Sequence, residues 1–405
     1  RERDDSARLR VPSCSAKPMA SVERAELGGT RMLILTSLRE GTGNAITAAR
    51  LAERIPAAHC SLLDINALPD AEALREHVCE CQIGLVLGIH AYRAGRLLVG
   101  CGVPFAIVLG GTDMNVMLHD EPKRRVMLDA IAQAGAVVAF NGELLGRLLE
   151  AMPEAKPKTF LVPQAVCTSL APLGAAEAQE LRRRLELEAD DVLLLLPAGL
   201  RPVKDVLFGA RAIAAWHVRD PRLCLRIVGP ELDAAYAAQV RAALRELGSP
   251  RGVAYVGALP QRQLIAAMAQ ARVVLNTSTS EGMCNSLLEA MLVGTPVLAR
   301  ANPGNAALLG HGDAIGLLFE TADELVQRAE ALLADAALGA RLAQAAAAHI
   351  ARHNSVQAET EGYRAALQRA LDSPEGVLRG RSAGHCSAPL PTEGPSVASI
   401  APPPG

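Results

Sequence analysis

Aromatic residues are scarce in this 405-residue chain, at five Phe, four Tyr and one Trp. That scarcity argues against the stacked aromatic platforms that hold single-stranded nucleic acid. It also leaves the core to Leu, Val, Ile and Ala, as in α/β proteins. No excess of one charge exists either: 41 basic against 43 acidic residues give a net charge of −2. An electrostatic footprint for DNA, RNA or an anionic membrane is therefore missing. The nine cysteines contain no C-x-x-C pair, and "CEC" at 79–81 is too tight for zinc spacing. Reduced thiols in a cytoplasmic protein are the plain reading. No apolar run reaches the roughly 18 residues of a membrane span, and the first 30 residues lack an apolar signal core. Met19 is a candidate initiator, which would leave 1–18 as upstream sequence. No D-x-D triplet occurs, so a carboxylate-held metal on a nucleotide diphosphate lacks its usual mark. His349 and His353 share a helix face but have no accompanying Glu, and metal binding is not expected there.

What is present is a repeated theme. Short apolar runs, "RMLILTSL" (31–38), "QIGLVLGI" (82–89), "VPFAIVLGG" (103–111) and "AVVAFN" (136–141), alternate with helical patterns. The series breaks over 158–180 and restarts at "DVLLLLPAGL" (191–200), "RLCLRIVGP" (222–230), "GVAYVGAL" (252–259), "ARVVLNTS" (271–278) and "GTPVLAR" (294–300). Four-to-eight-residue apolar runs between ten-to-fifteen-residue helical patterns spell βα units around buried parallel sheets. The chain therefore reads as two doubly wound α/β domains, with residues 336–372 mostly helical. The Pro-, Gly- and Ser-rich end should be disordered.

Open parallel sheets bind ligands beyond the carboxyl ends of their strands. Those ends collect polar and glycine residues in both halves: Gly41, Gly43 and Asn44; His90; Gly110, Gly111, Asp113 and Asn115; Arg201 and Lys204; Glu231; Glu281 and Glu289. Arg201 and Lys204 are spaced i,i+3 at an apparent helix start with Pro202 in its first turn. They form either a phosphate site or a surface pair on an ordinary helix. The loop "EGTGNAI" departs from the dinucleotide fingerprint at Ile46, although Asp64 stands near the acidic spacing, so NAD is a weak alternative. A glycine turn that lets a substrate approach the backbone fits better. In "EGMCNSLLEAM" (281–291), Ser286 and Glu289 satisfy S-x-x-E, a capping box that would leave Glu281 facing solvent. The competing reading places the N–H groups of Gly282 to Asn285 at an open helix end facing a cleft.

The segments "AGLRPVKD" and "SEGMCNSLLEAMLVGTPVLA" together resemble retaining GT-B glycosyltransferases of the group-1 (family 4) class. They carry its R-x-x-K pair, its E-x7-E, and its E-A-x-x-x-G-x-P-V tail through Gly294, Pro296 and Val297. The resemblance spans 31–372 and is looser in the first half. It implies a GT-B architecture, two Rossmann-like domains facing across a cleft. On this basis 1–30 is a disordered segment and 31–170 an acceptor-side domain. Residues 171–354 form a nucleotide-sugar-binding domain, 355–372 a helix packing back on the first domain, and 373–405 a disordered tail. By resemblance, Arg201 and Lys204 neutralise the donor diphosphate and Glu289 bonds the ribose. Glu281 touches the transferred sugar, and Gly282, Met283, Cys284, Asn285 and Ser286 offer the helix end. Gly41, Gly43 and Asn44 face the diphosphate, His90 lies beside the reacting sugar, and Asp113 and Asn115 sit on the acceptor side. Met283 and Cys284 depart from the aromatic residue and Gly or Pro of many relatives, and "GTGN" is shorter than their Gly-Gly loops. The expectation is a metal-independent, retaining transfer from a nucleotide-sugar to an unidentified acceptor, with no cofactor and no mark of oligomeric state. A nucleotide-sugar epimerase and a non-enzymatic binding protein are the alternatives.

Overall fold

The computed structural model describes residues 29–39, 41–55, 59–166, 173–248, 251–310 and 314–373. The expected disordered ends fall outside the described residues, apart from 29–30 and 373. Two six-stranded parallel sheets form the frame. The first contains β1 (Arg31–Thr36), β2 (His59–Asp64), β3 (Leu85–Ile89), β4 (Phe105–Val108), β5 (Ala136–Ala139) and β6 (Thr159–Leu161). Its order is β2-β1-β3-β4-β5-β6. The second contains β7 (Val192–Pro197), β8 (Leu223–Val228), β9 (Val253–Tyr255), β10 (Val273–Asn276), β11 (Val297–Arg300) and β12 (Leu317–Phe319). Its order is β12-β11-β10-β7-β8-β9.

The central strands are covered on both faces by helices, which is why they read as continuous apolar runs rather than alternating ones. Leu33, Ile34, Leu35, Leu85, Val86 and Leu87 are all fully buried, as are Leu194, Leu195 and Val274. Strand order reverses between β1 and β3 in the first sheet and between β7 and β10 in the second. Crevices open at these reversals, because successive helices leave on opposite faces of the sheet. Every residue singled out in the two glycosyltransferase-like segments follows β7 or β10.

The last two helices tie the halves together. Helix Ala336–His353 packs against helix Asn285–Leu292 of the second domain, and helix Val356–Leu371 lies on β3 to β6 of the first. Glu359, on that last helix, is buried and accepts from Arg50 Nε (3.1 Å) and Nη2 (2.9 Å), and from the Ala165 N–H (3.0 Å). A bidentate guanidinium–carboxylate pair is geometrically demanding, and losing one partner of such a buried pair costs about 3–5 kcal/mol. The returning helix is thus fastened to helix Gly43–Arg54, whose first residue closes the glycine turn.

Candidate active site

Arg201 and Lys204 do not begin a long helix. Pro202–Lys204 is one 3-10 turn, Asp205 adopts a left-handed conformation (φ 39°), and the helix proper runs Val206–His217. That helix start is closed, since the Val206 N–H donates to Tyr236 Oη at 3.0 Å. The reading of two cations plus this helix end as a phosphate site is corrected accordingly: the cations remain, but their amides do not. The turn is instead pinned by the loop after β10. Thr277 Oγ1 donates to the Lys204 carbonyl (2.8 Å), and the Thr279 N–H donates to the Val203 carbonyl (2.9 Å). Arg300 braces Asp205 at 2.8 Å while stacking over Phe208 at 4.6 Å.

The capping box is also corrected. Helix Asn285–Leu292 has Cys284 as its N-cap and no side-chain cap, so Ser286 and Glu289 fall inside the helix. Its N-terminus is open, with a partial positive charge left on uncapped amides. Glu289 instead accepts from Gln261 Nε2 at 2.7 Å, and burial pushes its carboxyl up to about 7. Glu281 is not solvent-facing: its side chain is 10% exposed and bonded to Lys204 Nζ at 2.5 Å and Asn276 Nδ2 at 3.1 Å. Burial alone would raise it, but Lys204 with hydrogen bonds from Ser278 and Asn276 holds it below the ordinary carboxylate range. Burial pushes the Cys284 thiol up to about 11, which keeps it neutral.

From the first domain, Gly41 has φ +74°, and a side chain there would collide with the ring of Pro230. Glycine is therefore required twice, for the conformation and for the approach of the second domain. Thr42 caps helix Gly43–Arg54, accepting from the Ala45 N–H at 3.4 Å. His90 follows β3 with φ +86°, an unusual conformation for a residue with a side chain and a mark of over-determined local structure. It lies in the bend that follows the strand. The Arg93 N–H donates to its Nδ1 at 3.3 Å, so the neutral ring carries its hydrogen on Nε2. Burial favours that neutral form, and Nε2 is buried without a partner.

These residues surround one cleft with two lobes. The larger, about 540 Å³, takes in Gly41, Lys204, Cys284, Ser286 and Glu289. The smaller, about 140 Å³, takes in Asn44, His90, Gly111 and Gly282. Gly43, Arg201, Glu281, Met283 and Asn285 face both. Arg201 is central, with its buried Nε unpartnered. Burial lowers its pKa, Glu281 offsets part of this, and Arg93 and Arg39 lower it further. A desolvated cation crowded by like charges is stabilised by a bound anion.

Three expected residues line neither lobe: Glu231, which pairs with Arg241 at the surface, Asp113 and Asn115. Asp113 is fully buried, and its carboxylate accepts from the N–H groups of Ala91 (2.5 Å), Gly110 (3.0 Å) and Met114 (2.9 Å). It holds the loops after β3 and β4 rather than facing an acceptor. Asn115 is a link between domains, donating from Nδ2 to Ser280 Oγ (3.1 Å) and to the Glu281 carbonyl (2.9 Å). Asn141, which the sequence reading did not single out, does the same for the Gly282 carbonyl at 2.7 Å. Asn276, Asn302 and Asn305 were missed too. Asn305 Nδ2 donates to Asn276 Oδ1 (2.9 Å) and Asn302 Nδ2 to the Ser278 carbonyl (2.9 Å), fixing the loop that carries Glu281. The polar run "NTSTS" and the paired Asn residues in "NPGN" were the available signals.

Among the described residues, no group of three His, Cys, Asp or Glu side chains is disposed as metal ligands, and no helix is long and apolar enough to cross a membrane. The six cysteines there are free of disulfides.

Two facing Rossmann-like domains with a basic, glycine-lined cleft define the GT-B glycosyltransferase architecture. The family model for glycosyl transferases group 1 matches residues 177–349, the second domain. The chain is 34% identical to glycosyltransferase 1 domain-containing protein 1 of Xenopus tropicalis, over 82% of its own length and 96% of that protein's. The chain belongs to this family of group-1 glycosyltransferases. It is also 31% identical to a D-inositol 3-phosphate glycosyltransferase of Nocardia farcinica, over 62% of the chain and 57% of that protein. Among solved structures, Anabaena HepE, crystallised with UDP and glucose, superposes with a TM-score of 0.70 at 18% identity. That match covers 84% of this chain and 99% of HepE.

Proposed function

We propose that this glycosyltransferase draws its sugar from a nucleotide-sugar, transfers it with retention at the anomeric carbon, and uses no metal. The observation that carries the reading is Arg201, a half-buried cation with an unpartnered Nε where both lobes meet, beside Lys204 and an uncapped helix end. A diphosphate in the larger lobe satisfies all three at once. As the bond from the anomeric carbon to the diphosphate oxygen breaks, charge builds on that oxygen. Arg201, Lys204 and the helix amides are already aimed there, so little reorganisation is needed during the reaction. Lys204 must then exchange part of its bond with Glu281 for the phosphate, which frees the carboxylate towards the sugar.

The half-buried Glu289 lies in the same lobe and accepts hydrogen bonds as a ribose partner would require. The neutral His90 presents an Nε2–H donor to the smaller lobe, where a sugar hydroxyl can accept it. Retention is supported by the motif resemblance, and nucleotide-sugar use by the UDP-bound structures of a protein with this fold. A thermal-shift panel of UDP, GDP, ADP and their sugars tests the donor reading. A ligand at 100 times its dissociation constant stabilises by about 2.7 kcal/mol. Stabilisation that survives EDTA and shrinks in Lys204→Ala is expected, and no shift with any nucleotide would falsify it. Proton NMR of the product's anomeric centre tests retention.

A further inference from the structure

The smaller lobe has a charge of its own. Its wall combines Arg93 with the hydroxyls of Ser37, Thr42, Thr47, Thr112 and Ser280, and Glu281 is the acidic side chain lining it. That carboxylate is already matched by Lys204 at 2.5 Å. Asp113 lies behind His90, but its two oxygens are taken by three backbone N–H groups. Arg39 stands two residues before Gly41, and both it and Arg93 are exposed and close enough to Arg201 to disfavour its charge. Two guanidinium groups, of Arg93 and Arg201, therefore line a lobe whose one acidic side chain among the described residues is already paired. A donor diphosphate drawn to Arg201 and Lys204 leaves Arg93 facing the lobe without an anion.

We propose that the smaller lobe holds the acceptor by an anionic group, a phosphate or a carboxylate, seated against Arg93. The reading rests on the donor assignment above, because it gives the larger lobe to the nucleotide. Its chemistry is specific: a planar guanidinium grips a tetrahedral or planar oxyanion with two parallel N–H bonds. The surrounding hydroxyls bond either that anion or the neighbouring hydroxyls of the acceptor. A neutral acceptor would leave the Arg93 guanidinium, which lines this lobe, without an anionic partner there.

The test is calorimetric titration of inorganic phosphate into the full chain saturated with the nucleoside diphosphate that binds best in the panel. Phosphate is expected to bind without displacing the nucleotide. Arg93→Ala should weaken it by about tenfold or more, as loss of a charged hydrogen bond does. Arg93→Lys should restore part of the affinity, and nucleotide binding measured alone should change less than about twofold in either variant. Acetate in place of phosphate separates the two sources. Tighter phosphate binding assigns a phosphate ester, tighter acetate binding assigns a carboxylate, and binding of neither overturns the proposal. Phosphate that only competes with the nucleotide, or that binds Arg93→Ala equally well, also overturns it. Failure of every nucleoside diphosphate to bind would sink the donor assignment as well, and so is distinguishable.

Discussion

The two domains share an architecture but divide the work of the cleft differently. The second brings charge: Arg201, Lys204, Glu281 and an uncapped helix, all within loops after β7 and β10. The first brings shape, through Gly41, Gly43 and Gly111, plus a neutral histidine, hydroxyls, two asparagine amides and a single lining cation, Arg93. On the proposed donor reading, the difference teaches that one half handles a fixed chemical problem, stabilising a diphosphate as it leaves, which demands particular ionisable residues. The other half accommodates a partner and controls the closed geometry, which many residue sets can do. The family model matches only the second domain. Whole-chain likeness comes from the relative in Xenopus tropicalis.

The comparison breaks most sharply at Lys204. Lys204→Ala should lower turnover by about 10²–10³ with donor binding weakened less, by analogy with loss of one preorganised donor. An unchanged rate would return the charge-bearing role to the first domain. Asp113→Ala tests the opposite side. It orphans three buried N–H groups, so a stability loss of about 3–5 kcal/mol is expected in urea unfolding. Nucleotide affinity of the protein that remains folded should be unaltered. A variant that stayed stable but lost acceptor use would reinstate it as an acceptor contact.

Closure comes next in size. A Cβ at Gly111 would overlap the backbone of Gly282 across the domain boundary. Gly111→Ala should therefore cost about 1–3 kcal/mol of closed form, read as a larger radius of gyration by small-angle scattering with nucleotide bound. Asn141→Ala removes one amide bond to the Gly282 carbonyl, and a loss of about 0.5–1.5 kcal/mol in nucleotide affinity is expected. No change there would mean that the donor loop is ordered by the second domain alone.

The smallest effect concerns Glu289, held up near 7 by burial against an ordinary value of 4.5. The folded form binds more protons than the unfolded form between those values, so stability contributed at this position falls as pH rises through that window. Glu289→Gln removes the titration. Its melting temperature relative to the unsubstituted chain should climb from pH 4.5 to 7 and level off above. A flat difference would show that Glu289 is solvated.

Much of the fold was legible because buried parallel strands write themselves as short apolar runs. Those runs located nine of the twelve strands among the described residues; β2 and β12 were not among them, and β6 (Thr159–Leu161) fell in the stretch read as a crossing. Charged cleft residues were legible for a related reason: Arg201, Lys204, Glu281 and Glu289 stand beyond strand ends, where open parallel sheets gather their cleft residues. Local pattern misled where two mechanisms share one spelling. Ser286 and Glu289 spell a capping box, yet the helix begins two residues too early for it, at a Cys284 cap packed against Asn276. Asp113 spells a cleft carboxylate, yet its oxygens turn inward to backbone amides.

The sequence by itself determined the alternation of strands and helices, the two-domain division and the kind of chemistry the second half can support, since periodicity and residue type act locally. Only the tertiary structure decided which carboxylates face the cleft, that Asn115 and Asn141 hold the opposing loop, and that Arg201 stands between two lobes with its Nε unpartnered. Those facts depend on how loops from different strands converge. Convergence follows from sheet order and domain contact, and neither is written in the spacing of neighbouring residues.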